Sequence, residues 1–259
     1  MRYELVTAAR VSALTGLLLL TMAGVSFAAE IRVLSAGAVR PAVTELAEPF
    51  RRETGHAVQF TFGTVGTVLN KMAGGETADV LVLTAEAMAE QERRGTVIPG
   101  SRADLGRVMI GLAVKEGAPL PDISTPEALR QTLLAARSLV YADPKAGATS
   151  GIHFAGVLER LGIAEAVKAK TTLLPGGYVV EPVGRGEIEV GVHQITEILP
   201  VKGVTLVGPL PQALQKVTTY TAALVPGTSA LEPAQAFIKF LTSPAGKARF
   251  EAHGFSSPN

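Results

Sequence analysis

The sequence contains no cysteine, which excludes disulfides, a thiol nucleophile, cysteine metal sites and a lipid-modified cysteine anchor. Charge imbalance is missing as well: 24 Lys and Arg stand against 23 Asp and Glu, so nothing favours nucleic acid or a membrane surface as partner. An anionic ligand would have to be held by local geometry. There is no H-E-x-x-H pair, G-x-S-x-G elbow, P-loop or clustered carboxylate ladder, so neither a metal nor a cofactor is expected. Internal repeats and low-complexity tracts are also lacking. The longest apolar run, "VSALTGLLLLTMAGV", falls short of the roughly 20 residues of a spanning helix. It follows Arg2 and Arg10 and ends in the small residues of "SFA", the pattern of an export signal. Residues 1–28 are therefore expected to be a signal peptide cleaved after Ala28, leaving a formally neutral chain outside the cytoplasm.

What remains alternates short apolar strands with helical segments, the pattern of an α/β fold. "IRVLSAGA" reads as a first strand and its loop. "VRPAVTELAEPFRRETG" reads as a helix with Val43, Leu46, Ala47 and Phe50 on one face and Gly55 as its stop. "HAVQFTFG", "TVGTVLNKMAGG", "ADVLVLT" and "AEAMAEQERRG" continue the alternation. After "RVMIGLAVKEG" the unit restarts: Thr125-Pro126 opens a helix with Pro at its first position. "RSLVYADP" and "SGIHFAGVLERLG" then form a strand and helix, "IEVGVHQITEIL" reads as one strand and "KVTTYTAALVPG" as another. A terminal helix pair is broken around Ser243-Pro244. The restart after residue 110 suggests two lobes.

Several stretches, "VLSAGAVRPAVTELAEPFRRETG", "GGETADVLVLTAEAMAE", "YADPKAGATSG", "GRGEIEVGVHQITE" and "PAQAFIKFLTSPAGKARFEAHGF", together resemble the periplasmic molybdate-binding proteins and the wider type II solute-binding family of ABC transporters. The resemblance implies a two-lobed type II periplasmic-binding-protein fold with two hinge-crossing strands, near Val108–Val114 and Lys216–Leu224. Lobe one would comprise residues 29–110 plus 221–259, and lobe two residues 111–220. A monomer that captures a small anion and delivers it to an ABC transporter's membrane component is the function so implied.

Ligands of open α/β sheets gather at strand ends, where free amides and the helix dipole favour negative charge. The first candidate loop is "SAGA", with Ser35 and the Gly37 amide. The second is "GTVGT", with Thr64, Gly66 and Thr67, and the third carries Ser150 and Gly151. Each loop also has a plain reading as a helix cap or tight turn. Where molybdate binders have a tyrosine after the "G-h-h" strand, this chain has Gln194. That departure puts molybdate specificity in question while leaving an oxyanion such as molybdate or a small organic carboxylate as the expected ligand, and Tyr178 is placed to substitute in part. Arg40 beside the first loop suits a carboxylate, which an arginine fork matches bidentately; Arg185 and Lys145 are weaker candidates of the same kind. A few proteins similar to this family are aconitate isomerases, which shift a proton along an unsaturated tricarboxylate. That alternative would use His193 or His153 as the base. His56 and His253 read as surface residues.

Overall fold

The computed structural model describes residues 28–258; the expected export segment lies outside them apart from Ala28. In chain order the elements are β1 (Glu30–Ala36), α1 (Arg40–Thr54), β2 (Ala57–Gly63), α2 (Val65–Ala73), β3 (Val80–Thr84), α3 (Ala85–Arg93) and β4 (Ala103–Lys115). There follow α4 (Pro126–Ala135), β5 (Leu139–Ala142), α5 (Thr149–Arg160), α6 (Ala164–Lys168), β6 (Thr171–Leu174), α7 (Glu181–Gly184) and β7 (Val190–Gln194). The chain closes with α8 (Ile195–Ile198), β8 (Val204–Pro209), β9 (Val217–Leu224), α9 (Leu231–Leu241) and α10 (Pro244–Ala252). Among the described residues, no helix is long and apolar enough to cross a membrane.

The strands form one path, β2-β1-β3-β9-β4-β7-β5-β6, with β8 on the second edge of β4. Both lobes share that path because β4 is 13 residues long and changes partners along its length. Up to Met109 it pairs with β9, and from Ile110 onward with β7. Beside this crossing the Gln215 side chain acts as a strand partner: its Oε1 accepts from the Ile110 N–H at 3.0 Å, and its Nε2 donates to the Ile110 carbonyl at 2.9 Å. The two hinge segments are thus tied to each other where they pass between lobes.

Each lobe has its own core. In the first, Val43, Leu46 and Phe50 recur at helical spacing on α1 and are buried, and Phe50 meets Phe237 of α9 edge-on at 5.1 Å. The terminal helices therefore fold back onto the first lobe. Their break comes at Ser243, whose hydroxyl accepts from the Gly246 N–H at 3.1 Å as the cap of α10. In the second lobe Tyr141 and Phe154 meet edge-on at 5.1 Å, joining β5 to α5.

One expected strand is shorter than its sequence suggests. "IEVGVHQITEIL" is rich in β-branched residues, yet β7 stops at Gln194 and the chain turns into α8. The reason is pairing: Gln194 lies opposite Ile110, and one residue earlier β4 is already paired with Val217 of β9. A longer β7 would have no ladder to join. The turn is what brings Glu197 of α8 into the space between the lobes.

Candidate functional site

Five chain segments from the two lobes meet around one recess, each at the C-terminal end of a strand. β1 contributes Ala36, Gly37 and Ala38, and β2 contributes Gly63, Thr64 and Val65. The loop after β5 brings Ala148, Thr149 and Ser150, the loop after β6 brings Gly176 and Gly177, and β7 with α8 brings His193, Gln194 and Glu197. Tyr220 of the crossing strand β9 closes the floor. The cavity volume is about 30 Å³, roughly two or three water-sized spheres, so anything larger than a single acid group enters only with the lobes apart.

Free backbone donors are the dominant chemistry of this wall. Helices α2, α3, α4 and α10 are closed by Thr64, Thr84, Thr125 and Ser243, each of which accepts a first-turn N–H through its side chain. The short 3₁₀ turn Gly37–Val39 leading into α1, and α5, have no side-chain cap. Both begin at the recess, so their first N–H groups and dipole ends are available to a negative ligand.

Against these neutral donors stands a buried titratable group. Ser150 Oγ is 2.9 Å from His193 Nδ1. His193 Nε2 donates to the Gly177 carbonyl at 2.9 Å and lies 3.4 Å from Glu197 Oε2. Burial disfavours charge on this imidazole, but the Glu197 carboxylate and the Gly177 carbonyl outweigh it and hold His193 above its ordinary pKa. Gly37 makes room for the carboxylate, since a Cβ there would lie 2.8 Å from Glu197 Oε1. Burial, reinforced by the Glu197 charge, holds the Tyr220 phenol far above its usual range. Gln194 Nε2 donates to Tyr220 Oη at 3.4 Å, while Gln194 Oε1 is buried without a partner.

The residues singled out from the sequence fall into three groups. Gly37, Thr64, Ser150, His193 and Gln194 line the recess. Tyr178 and Arg40 stand together rather than in its wall: the Arg40 guanidinium lies between the Phe62 ring of the first lobe, at 4.4 Å, and the Tyr178 ring of the second, at 5.8 Å. Burial raises the Tyr178 pKa against the opposing pull of Arg40. Arg40 makes no ion pair among the described residues.

The third group serves structure. Ser35 is fully buried with its hydroxyl on the Ala36 carbonyl at 3.0 Å, and Thr67 holds the Thr64 hydroxyl at 2.9 Å. Gly151 allows α5 to sit on β5, since a Cβ there would lie 1.9 Å from the Ala142 carbonyl oxygen. Gly66 donates its N–H to the Gly147 carbonyl across the lobes at 3.2 Å. His153 donates to the Leu214 carbonyl at 2.7 Å, outside the recess. Arg185 forks onto Glu187 at 2.7 and 2.9 Å, and Lys145 is exposed. His56 accepts from the Ala29 N–H at 3.1 Å, and His253 meets Glu45 at 2.7 Å. Sequence reasoning missed Tyr220 and Glu197. For Glu197 the only signal was its spacing of four from His193, which places the two together on a helical turn but apart on the strand that the sequence suggested.

No group of three or more His, Cys, Asp or Glu able to hold a metal exists among the described residues. Residues 31–256 match the family described as bacterial extracellular solute-binding protein. An aconitate isomerase of a Pseudomonas species is 33% identical over 219 residues, covering 82% of each chain. The molybdate-binding protein ModA of Escherichia coli is 24% identical over 232 residues, covering 88% of this chain and 89% of its own. In fold, the periplasmic molybdate-binding protein of Azotobacter vinelandii superposes with a TM-score of 0.72 at 18% identity, over 88% of this chain and 100% of its own. The strand-end recess between two lobes and these matches agree: the chain belongs to the bacterial extracellular solute-binding proteins, with the two-lobed α/β fold of periplasmic binding proteins.

Proposed function

We propose that the interlobe recess takes a small organic polycarboxylate and that the protein is an isomerase of the aconitate type, moving a proton along an unsaturated tricarboxylate in the periplasm. The observation that carries this reading is Glu197, among the described residues the one carboxylate lining a wall of backbone amides, hydroxyls and the His193 imidazole. A receptor for a permanently dianionic tetrahedral oxyanion gains nothing from a negative charge there, because like charges in a poorly solvated cleft repel. An enzyme that abstracts a proton next to a carboxylate needs such a group. The uncapped starts of the 3₁₀–α1 segment and of α5 supply donors for the substrate's acid groups, and Arg40, without an ion pair among the described residues, supplies a cation beside Tyr178. Similarity to an aconitate isomerase at 33% identity supports the same substrate class.

Capture of the same kind of anion for an ABC transporter is the second reading. It is favoured by the direct closure of one lobe on the other, through Thr64 and Gly66 on one side and Ala146 and Gly147 on the other, a geometry suited to trapping a solute. Purified protein incubated with trans-aconitate, with the isomers followed by NMR, separates the two. Appearance of cis-aconitate above the protein-free rate supports the isomerase; saturable binding with no isomerisation supports capture.

A further inference from the structure

If the recess performs a proton shift, one of its groups must take the proton. Three titratable side chains reach it: His193, Tyr220 and Glu197. His193 is committed on both ring nitrogens. Nε2 must carry hydrogen to donate to the Gly177 carbonyl at 2.9 Å, and Nδ1 is held by Ser150 Oγ at 2.9 Å. Both ring nitrogens are thus engaged by the protein, and neither is left free to take a substrate proton. Tyr220 is kept protonated by its burial and by the neighbouring carboxylate, so it can donate but not accept. Glu197 differs from both. Its Oε2 is oriented by the His193 edge at 3.4 Å, and its Oε1 reaches over Gly37, where the 3₁₀–α1 segment begins.

We propose that Glu197 is the catalytic base of the recess, oriented by the Ser150–His193 pair, and that it removes and returns the migrating proton of an unsaturated tricarboxylate. This rests on the isomerase reading given above. The C–H bond of the substrate's methylene breaks and its proton passes to Glu197. The electron pair spreads through the adjacent double bond onto the far carboxylate, and Glu197 then protonates the formerly vinylic carbon. Charge is greatest in the dienolate, which the first amides of α5 and of the Gly37–Val39 turn face. No oxidant, reductant or second reactant is required. His193 and Ser150 are positioning residues, because they act through the carboxylate.

The test uses the exported chain and its Glu197→Gln variant in D2O with trans-aconitate, recording both binding by calorimetry and deuterium entering the methylene by NMR. The expected result is that Glu197→Gln binds trans-aconitate at least as tightly as the wild type, since a repelling charge is gone, while exchange falls by about 10²-fold or more. A purely structural role would instead weaken binding and exchange together. Glu197→Asp keeps the carboxylate but withdraws it by one methylene, and is expected to retain measurable exchange; should the Gln variant fold poorly, this one carries the test. Wild-type exchange preserved in Glu197→Gln overturns the assignment alone. A wild type that neither binds nor exchanges trans-aconitate overturns the isomerase reading and the assignment with it.

Discussion

Replacing Gly66 with alanine is expected to hold the lobes apart. A Cβ at Gly66 would lie 2.8 Å from the Gly147 Cα and 2.9 Å from the Ala146 carbonyl oxygen. Ordinary carbon contacts are about 3.5–4.0 Å, so the two loops must separate by about 1 Å. The bond from the Gly66 N–H to the Gly147 carbonyl is already 3.2 Å long and would then be lost, as would that from the Thr64 hydroxyl to the Ala146 carbonyl. At about 0.5–1.5 kcal/mol each, closure weakens by about 1–3 kcal/mol. If ligand is held by the closed form, the apparent Kd rises in proportion to the lost closed fraction, about 5- to 150-fold. The local effect on α2 runs the other way, because alanine is the better helix former by about 0.5–1 kcal/mol. Weaker binding could not then be blamed on unfolding of that helix. Calorimetry with trans-aconitate gives the Kd, small-angle scattering gives the radius of gyration, and a thermal melt checks that the lobes remain folded. An unchanged Kd with an unchanged radius of gyration would refute the idea that these glycines set closure.

Arg40→Ala is expected to weaken tricarboxylate binding by about 1.5–3 kcal/mol, the scale of a charge-assisted hydrogen bond, and to affect molybdate much less; calorimetry with both anions reads the difference. Ser150→Ala strips His193 Nδ1 of its partner and should cost about 1–3 kcal/mol of stability, visible in a denaturant titration. Gly151→Ala drives a Cβ to within 1.9 Å of the Ala142 carbonyl oxygen, an overpacking worth about 1–3 kcal/mol or more, so its melting temperature should fall by several degrees. Asp79 is nearly fully buried; burial opposes its charge, but hydrogen bonds from Arg32 and Thr228 outweigh it and hold its pKa below the ordinary carboxylate range. Its contribution to stability is therefore complete above about pH 4 and lost as pH falls through the lowered value. Asp79→Asn should flatten the acid limb of a plot of melting temperature against pH.

The alternation of strands and helices from β1 through α3 could be read directly, because the burial periodicity of α1 and the short apolar runs are local signals. The break at Ser243-Pro244 could be read for the same reason, as cap chemistry lies within four residues. The limit of β7 could not be. It depends on where β4 exchanges one partner for another, a fact of pairing between segments more than 80 residues apart, and with it went Glu197 and the strand β8. Gly66 looked like part of a seat for an anion, and Thr64 in the same loop does line the recess, as does Ser150 of the third loop. Gly66 itself is where the lobes touch, against Gly147. Small residues at a strand end permit either use, and only the position of the opposite lobe decides. Tyr220 sits in a strand of mixed "VTTYTAAL" character, where alternation does not tell which face meets the floor of a cleft.

The most direct measurement is a pair of calorimetric titrations of the purified protein, one with trans-aconitate and one with molybdate. Saturable one-to-one binding of the tricarboxylate and weaker binding of the oxyanion are expected, because Glu197 opposes a compact dianion while Arg40 favours a carboxylate. Tight molybdate binding with no heat from trans-aconitate would contradict this expectation.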